Sequence, residues 1–130
     1  GARAGQLPRF EFGMEMWANV SPAGAANQMH AHPGAFWSAV FFVDDGGAKP
    51  GEGQLVLLDP RFPMNRLAAP DVALGEKPPS GAPLSQHLIE CEPGKLVAFP
   101  SWLMHAVRPH TGEGVRISVA MNILVRQVAA

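Results

Sequence analysis

Apolar and polar residues alternate from Phe10 to Val20. Phe10, Phe12, Met14, Met16, Ala18 and Val20 fall on one side, and Glu11, Glu15 and Asn19, with Trp17 among them, fall on the other. A period of two marks an extended strand, and one apolar side marks a strand with one face covered. A half-buried antiparallel strand is therefore expected, apolar side inward. Phe36 to Val43 lacks a polar side, which predicts a strand covered on both faces. Asp44-Asp45-Gly46-Gly47 is a turn, and Gln54 to Leu58 is a short strand expected to form a hairpin with its predecessor. Gln86 to Glu92 places His87, Ile89 and Cys91 on one face. Pro93-Gly94 turns the chain into a return strand, Lys95 to Phe99. Pro100-Ser101-Trp102 breaks that strand ahead of Leu103 to Val107. The last strand, Val115 to Val125, is apolar except at Arg116, Ser118 and Asn122.

Thirteen prolines and fourteen glycines leave no segment of helical length with a 3.6-residue period. About seven or eight strands with uneven loops predict an all-β domain of two packed sheets or a barrel, such as a double-stranded β-helix (jelly-roll). An immunoglobulin-like sandwich fits less well, since it expects regular strand spacing and a Trp between two cysteines. The exception to the strand pattern is Asp59 to Ser85, which carries Pro60, Pro63, Pro70, Pro78, Pro79 and Pro83. It reads as a long proline-rich loop with at most a helical turn near Ala68 to Leu74. Such a loop is either a lid over a site or a solvent-exposed insertion. One domain over residues 1–130 is expected, with a core at about 10–125 and the loop at about 59–85.

Composition narrows the partners. Charged residues are 16% of the 130, apolar residues 47%, and the net charge is −1. With no Lys/Arg cluster, neither nucleic acid nor an acidic membrane surface is an evident partner. No apolar run reaches the length of about 18 residues that a membrane span needs. No signal-peptide pattern opens the chain, so a cytoplasmic protein is expected. So little charge suggests a homo-oligomer, or a surface covered by flanking sequence. The single Cys91 excludes an internal disulfide and reads as a small core residue.

The candidate chemistry begins at Asn27-Gln28-Met29-His30-Ala31-His32-Pro33. If that stretch is extended, His30 and His32 present both imidazoles to one side, within reach of one metal ion. His105, after the Pro-Ser-Trp break, reads equally as a buried hydrogen-bonded histidine or as a third ligand. A pair from an early strand and a single histidine from a late one is how a barrel builds a three-ligand site. Arg116 and Ser118 share a strand face with Ala120 and Asn122, polar yet with no other charge. That suits an anchor for a small carboxylate. The alternative is an arginine reaching water, or pairing with Glu11 or Glu15. A small acid with metal-binding oxygens at its other end would bridge the two halves, and 2-oxoglutarate has that shape.

These residues, in order, resemble the iron(II)- and 2-oxoglutarate-dependent oxygenases, in a branch related to prolyl hydroxylases. The landmarks are Trp17-Ala18-Asn19-Val20, Asn27 to Pro33, Ser38 to Val43, Asp59-Pro60-Arg61, Pro93 to His105, and Arg116 to Asn122. The resemblance spans Phe10 to Val125 and implies a jelly-roll hydroxylase-type dioxygenase using Fe(II), with 2-oxoglutarate as small-molecule co-substrate. It implies His30 and His105 as metal ligands and Arg116 with Ser118 as the carboxylate anchor. Asn27 is a candidate for orienting substrate or a ligand, and Asn122 for the co-substrate region or a buried strand hydrogen bond. Trp37 and Trp102 are candidate pocket walls or core residues, and Arg61 a candidate substrate contact. The family usually carries an acid where His32 stands. His32 is the expected third ligand on spacing, with Asp44, Asp45 or water as alternatives. Cupins resemble the pattern too, through His-x-His and a distal His, but Trp102 stands at their glycine and no Glu follows His32 until Glu52. The rival readings are a three-histidine cupin dioxygenase or isomerase, and a non-catalytic metal-binding jelly-roll.

Overall fold

The computed structural model describes residues 5, 7–62 and 85–128. The proline-rich stretch expected as a lid or insertion, with its possible helical turn, lies outside the described residues from 63 to 84.

Eight strands follow in chain order: β1 (Arg9–Ser21), β2 (Asn27–His30), β3 (Trp37–Asp45), β4 (Leu55–Leu58), β5 (Gln86–Ile89), β6 (Leu96–Pro100), β7 (His105–Val107) and β8 (Arg116–Val128). They form two four-stranded antiparallel sheets, ordered β1-β8-β3-β6 and β2-β7-β4-β5. Successive strands mostly alternate between the sheets, which is the winding of a double-stranded β-helix. The all-β jelly-roll expectation is borne out. Two local expectations are not. β3 and β4 do not form a hairpin, and neither do β5 and β6, because each pair is split between the two sheets. The glycine-rich links carry the chain across: Gly94 sits at φ +88° and its N–H bonds the Phe42 carbonyl, not β5. Among the described residues no helix is long and apolar enough to cross a membrane.

The core lies between the sheets. Phe42, Leu55, Cys91 and Phe99 are buried together, with Val40, Leu57, Ile89, Val97, Leu103 and Val107 packed on them. Cys91 is thus a core residue, as its sequence context suggests.

The larger sheet faces the opposite way from the expected one. On β8 the buried residues are Arg116, Ser118 and Asn122, so the polar face turns inward. The register pairs Asn19 with Ser118 and Trp17 with Ala120, which puts the odd-numbered face of β1 on that same inner side. The even-numbered residues point out: Phe12 is 69% exposed, and Phe10, Met14, Met16 and Val20 are also exposed. β3 and β6 extend this outer surface with Trp37, Phe41, Val43 and Leu96. Both the inward apolar side expected of β1 and the double coverage expected of β3 are therefore corrected. The low charge of the chain takes the form of one apolar sheet face.

At one end of the barrel the turn after β3 packs against the loop before β8. Asp44 and Asp45 accept hydrogen bonds from the Gly46 and Gly47 N–H groups, each at 2.8 Å, and so fasten the turn. Gly114 N–H bonds the Gly46 carbonyl at 3.0 Å. A Cβ at Gly112 would lie 2.2 Å from that same oxygen and 2.6 Å from the Gly47 carbonyl carbon. Backbone must move to admit it, so Gly112→Ala is expected to cost about 2 kcal/mol or more. Urea unfolding checks this; a loss under about 0.5 kcal/mol, the usual size of a surface substitution, would show that the two loops part easily.

Candidate metal and co-substrate site

His30 ends β2, His32 follows it in the loop, and His105 opens β7. β2 and β7 are antiparallel neighbours in which His30 faces His105 directly. His32 is outside any strand and is placed by another route. Its N–H donates to the Ser101 carbonyl at 3.0 Å, and the Ser101 hydroxyl donates back to the Ala35 carbonyl. Ser101, buried in the break between β6 and β7, thus ties the histidine loop to the turn leading to His105. The three residues each offer one ligand nitrogen, and these lie within 4.8 Å of one another.

The hydrogen-bond pattern fixes which nitrogens face the centre. His30 donates from Nδ1 to the Gln28 carbonyl at 2.7 Å, and His105 from Nδ1 to the Leu103 carbonyl at 2.9 Å. A carbonyl can only accept, so in both rings Nδ1 carries the proton and Nε2 offers its lone pair. His32 Nε2 lies 3.1 Å from His105 Nε2. Two nitrogens at about 2.1 Å from a metal and at a right angle to each other are about 3.0 Å apart. The observed spacing therefore fits neighbouring positions on one ion, with the backbone carbonyls holding the rings as they do behind metal-bound histidines.

Electrostatics agree. Burial pushes His105 down to about 4; the Leu103 carbonyl opposes the shift, while His30 and His32 add to it. Burial, then His30, lowers His32 as well. Both are neutral near pH 7, the state that ligates metal. The metal-free protein pays for this in acid. Between pH 6.5 and about 4 the unfolded chain holds a proton at this position that the folded chain lacks. Stability is therefore full above pH 6.5 and falls as the pH drops toward 4, by about 3 kcal/mol from His105. Urea unfolding of metal-free protein at pH 7 and pH 4.5 should show most of that loss, and equal midpoints would contradict it.

The cluster opens on a cavity of about 510 Å³ lined by both sheets, a size suited to a small ligand. Of the residues expected at the site, Asn27, Ser118 and Asn122 line it together with the three histidines. Asn122 accepts a buried hydrogen bond from the Ser38 hydroxyl at 3.1 Å, so the strand-bond alternative holds, at the cavity wall. Trp37 and Trp102 do not line it and are not core residues: Trp37 is on the outer sheet face and Trp102 is exposed. The tryptophan at the wall is Trp17, with its ring 6.2 Å from that of His32. Trp17 and Asn19 escape the sequence reading because β1 is turned over. Asp44 and Asp45 fasten their turn and are not in the histidine cluster. Arg61 is exposed and paired with Asp59.

Arg116 is not on the cavity wall. It lies one inward position beyond Ser118 and is 2% exposed. Its Nη1 donates to the Gly53 carbonyl at 2.9 Å, and Nε has no partner. It pairs with no acid: the ion pairs among the described residues are Arg61–Asp59, Lys95–Glu92 and Arg126–Glu11. Neither alternative in the sequence therefore applies, since Arg116 does not reach water and Glu11 is taken by Arg126. Burial lowers its pKa, offset in part by Cys91. Beside it, across Gly53, is His110, wholly buried, with Nε2 on the Ser21 carbonyl at 3.2 Å and Nδ1 unpartnered.

Comparison with known proteins gives the chain a family and a fold. The sequence pattern of the family described as "Putative 2OG-Fe(II) oxygenase" matches residues 15–122. No curated protein matches the chain by sequence. Among solved structures, a Pseudomonas putida prolyl-4-hydroxylase superposes with a TM-score of 0.57 at 24% identity, over 84% of this chain and 51% of its own. A Burkholderia pseudomallei oxidoreductase of the 2OG-Fe(II) oxygenase family gives 0.60 at 16% identity, over 89% of this chain and 46% of its own. At these identities the likeness is one of fold, and the chain spans about half the length of either structure.

Proposed function

The chain belongs to the 2OG-Fe(II) oxygenase family, and from that premise we propose that its cavity holds Fe(II) on His30, His32 and His105 and takes 2-oxoglutarate as co-substrate. The observation that carries this is the convergence of three imidazole nitrogens within 4.8 Å. Two of the rings are oriented from behind by backbone carbonyls. The buried, acid-free guanidinium of Arg116 supports the second half. An uncompensated charge in a protein interior costs several kcal/mol, and a carboxylate arriving from the cavity would compensate it. Ser118, one inward position from Arg116 on β8, lines the cavity and supplies a hydroxyl.

When bound, iron and 2-oxoglutarate supply the oxidation of an organic substrate by dioxygen, giving succinate and carbon dioxide as co-products. The chain's own contribution is orientation. The three histidines would hold one metal ion through their ring nitrogens. Apart from these histidines, the described residues of the cavity wall are Asn, Gln and Ser among apolar side chains, which orient a ligand by hydrogen bonds.

His32 in place of the family's usual acid changes the charge. Three neutral imidazoles would leave a divalent ion its full double charge, of which the metal-binding carboxylate of 2-oxoglutarate would offset one unit, its far carboxylate facing Arg116 instead. The same triad selects less strongly for Fe(II) over zinc, nickel or copper. Purified protein loaded with Fe(II) and given 2-oxoglutarate in air is expected to release succinate above a no-protein control. Binding of both without any succinate would instead identify a non-catalytic metal-binding jelly-roll.

A further inference from the structure

We propose that Asn19 is a co-substrate-binding residue that donates, with Ser118, to the far carboxylate of 2-oxoglutarate. The proposal rests on the reading of the cavity as a 2-oxoglutarate site and adds a residue to it from the other sheet strand. Asn19 and Ser118 are direct register partners on β1 and β8, and both line the cavity. Among the described residues neither side chain has a hydrogen-bond partner in the protein, although Ser118 is buried. One inward rung further along the same two strands, Ser21 faces Arg116. Arg116 there has its unpartnered Nε, while the Ser21 carbonyl is already occupied by His110.

The two rungs thus hold the Asn19 amide, the Ser118 and Ser21 hydroxyls and the Arg116 guanidinium, all on the inner side of one strand pair, with no acid among them. Polar groups that line a cavity take their hydrogen bonds from water or from a ligand. A carboxylate has acceptor capacity for several donors at once and matches this set. Beside the histidines the described lining adds the amides of Asn27 and Gln28, but no guanidinium accompanies them. At Asn122 the amide oxygen accepts from the Ser38 hydroxyl, which ties that side chain to β3.

Pyruvate provides the discriminating probe, because it has the metal-binding 2-oxo acid end of 2-oxoglutarate and lacks the far carboxylate. With cobalt(II)-loaded protein under argon, calorimetry should show Asn19→Ala weakening 2-oxoglutarate by about 10-fold or more, the size of one lost charge-assisted hydrogen bond. Pyruvate and cobalt affinities should stay within about twofold, the scatter of a change well under one such bond. Asn19→Asp has the same shape as the native residue and should weaken 2-oxoglutarate further by like-charge repulsion. It carries the test if the alanine variant does not fold. A wild-type protein that prefers 2-oxoglutarate to pyruvate, with variants that keep that preference, overturns the role of Asn19 alone. Equal loss of both ligands overturns it too, by placing Asn19 at the wrong end. A wild-type protein that does not distinguish the two ligands overturns the reading of the site, and this role with it.

Discussion

Replacing His105 with alanine is expected to lower cobalt(II) or iron(II) affinity by at least about 100-fold. Changes to mere supporting groups behind a ligand already cost about 10- to 100-fold, and His105 offers the nitrogen itself. It faces His30 across β2 and β7 and lies 3.1 Å from the ligand nitrogen of His32. Removing it leaves two imidazoles, one of them in a loop. The same variant carries a second signature. His105 is 4% exposed and its pKa is pushed down to about 4, so it is a main source of acid sensitivity in the metal-free protein. Metal-free His105→Ala should therefore lose much less stability than wild type between pH 7 and pH 4.5, whatever its stability at pH 7. Titration calorimetry and urea unfolding read the two effects separately. Unchanged metal affinity would remove His105 from the site.

Arg116→Met is expected to act with opposite signs on stability and binding. Without ligand, the guanidinium is buried, bonded to one carbonyl and unpaired with any acid among the described residues. Exchanging it for an apolar chain of similar length should stabilise the metal-free protein by about 1–4 kcal/mol, as replacing buried ionic groups often does. It should also weaken 2-oxoglutarate by about 100-fold, as loss of a charge-assisted carboxylate contact implies. A destabilised protein with intact binding would make Arg116 a structural residue. Greater stability together with weaker binding is the mark of a charge kept for a ligand.

Much of this was legible in the sequence. Prolines and glycines ruled out helices, and the strand runs gave the jelly-roll. The spacing of His30, His32 and His105 anticipated residues that the fold brings together. The face of the larger sheet was not legible. A period of two says that a strand has two unlike sides but not which side meets the interior. Where the interior is a polar cavity, the usual assignment inverts: Asn19 and Ser118 point in while Phe12 and Met16 point out. The strand pairings around Gly46 and Gly94 were missed for a related reason. A turn signal fixes a change of direction but not whether the next strand stays in the same sheet. The bonds that place His32, through Ser101 and Ala35, join segments about 70 residues apart and leave no local pattern to read.

The central claim, one metal and one 2-oxoglutarate held together by this cavity, is tested most directly by visible absorption of the protein under anaerobic conditions with Fe(II) and 2-oxoglutarate. The account predicts a charge-transfer band that needs both components, saturates at one of each per chain, and disappears in His105→Ala. No band beyond that of the two components mixed without protein would contradict it.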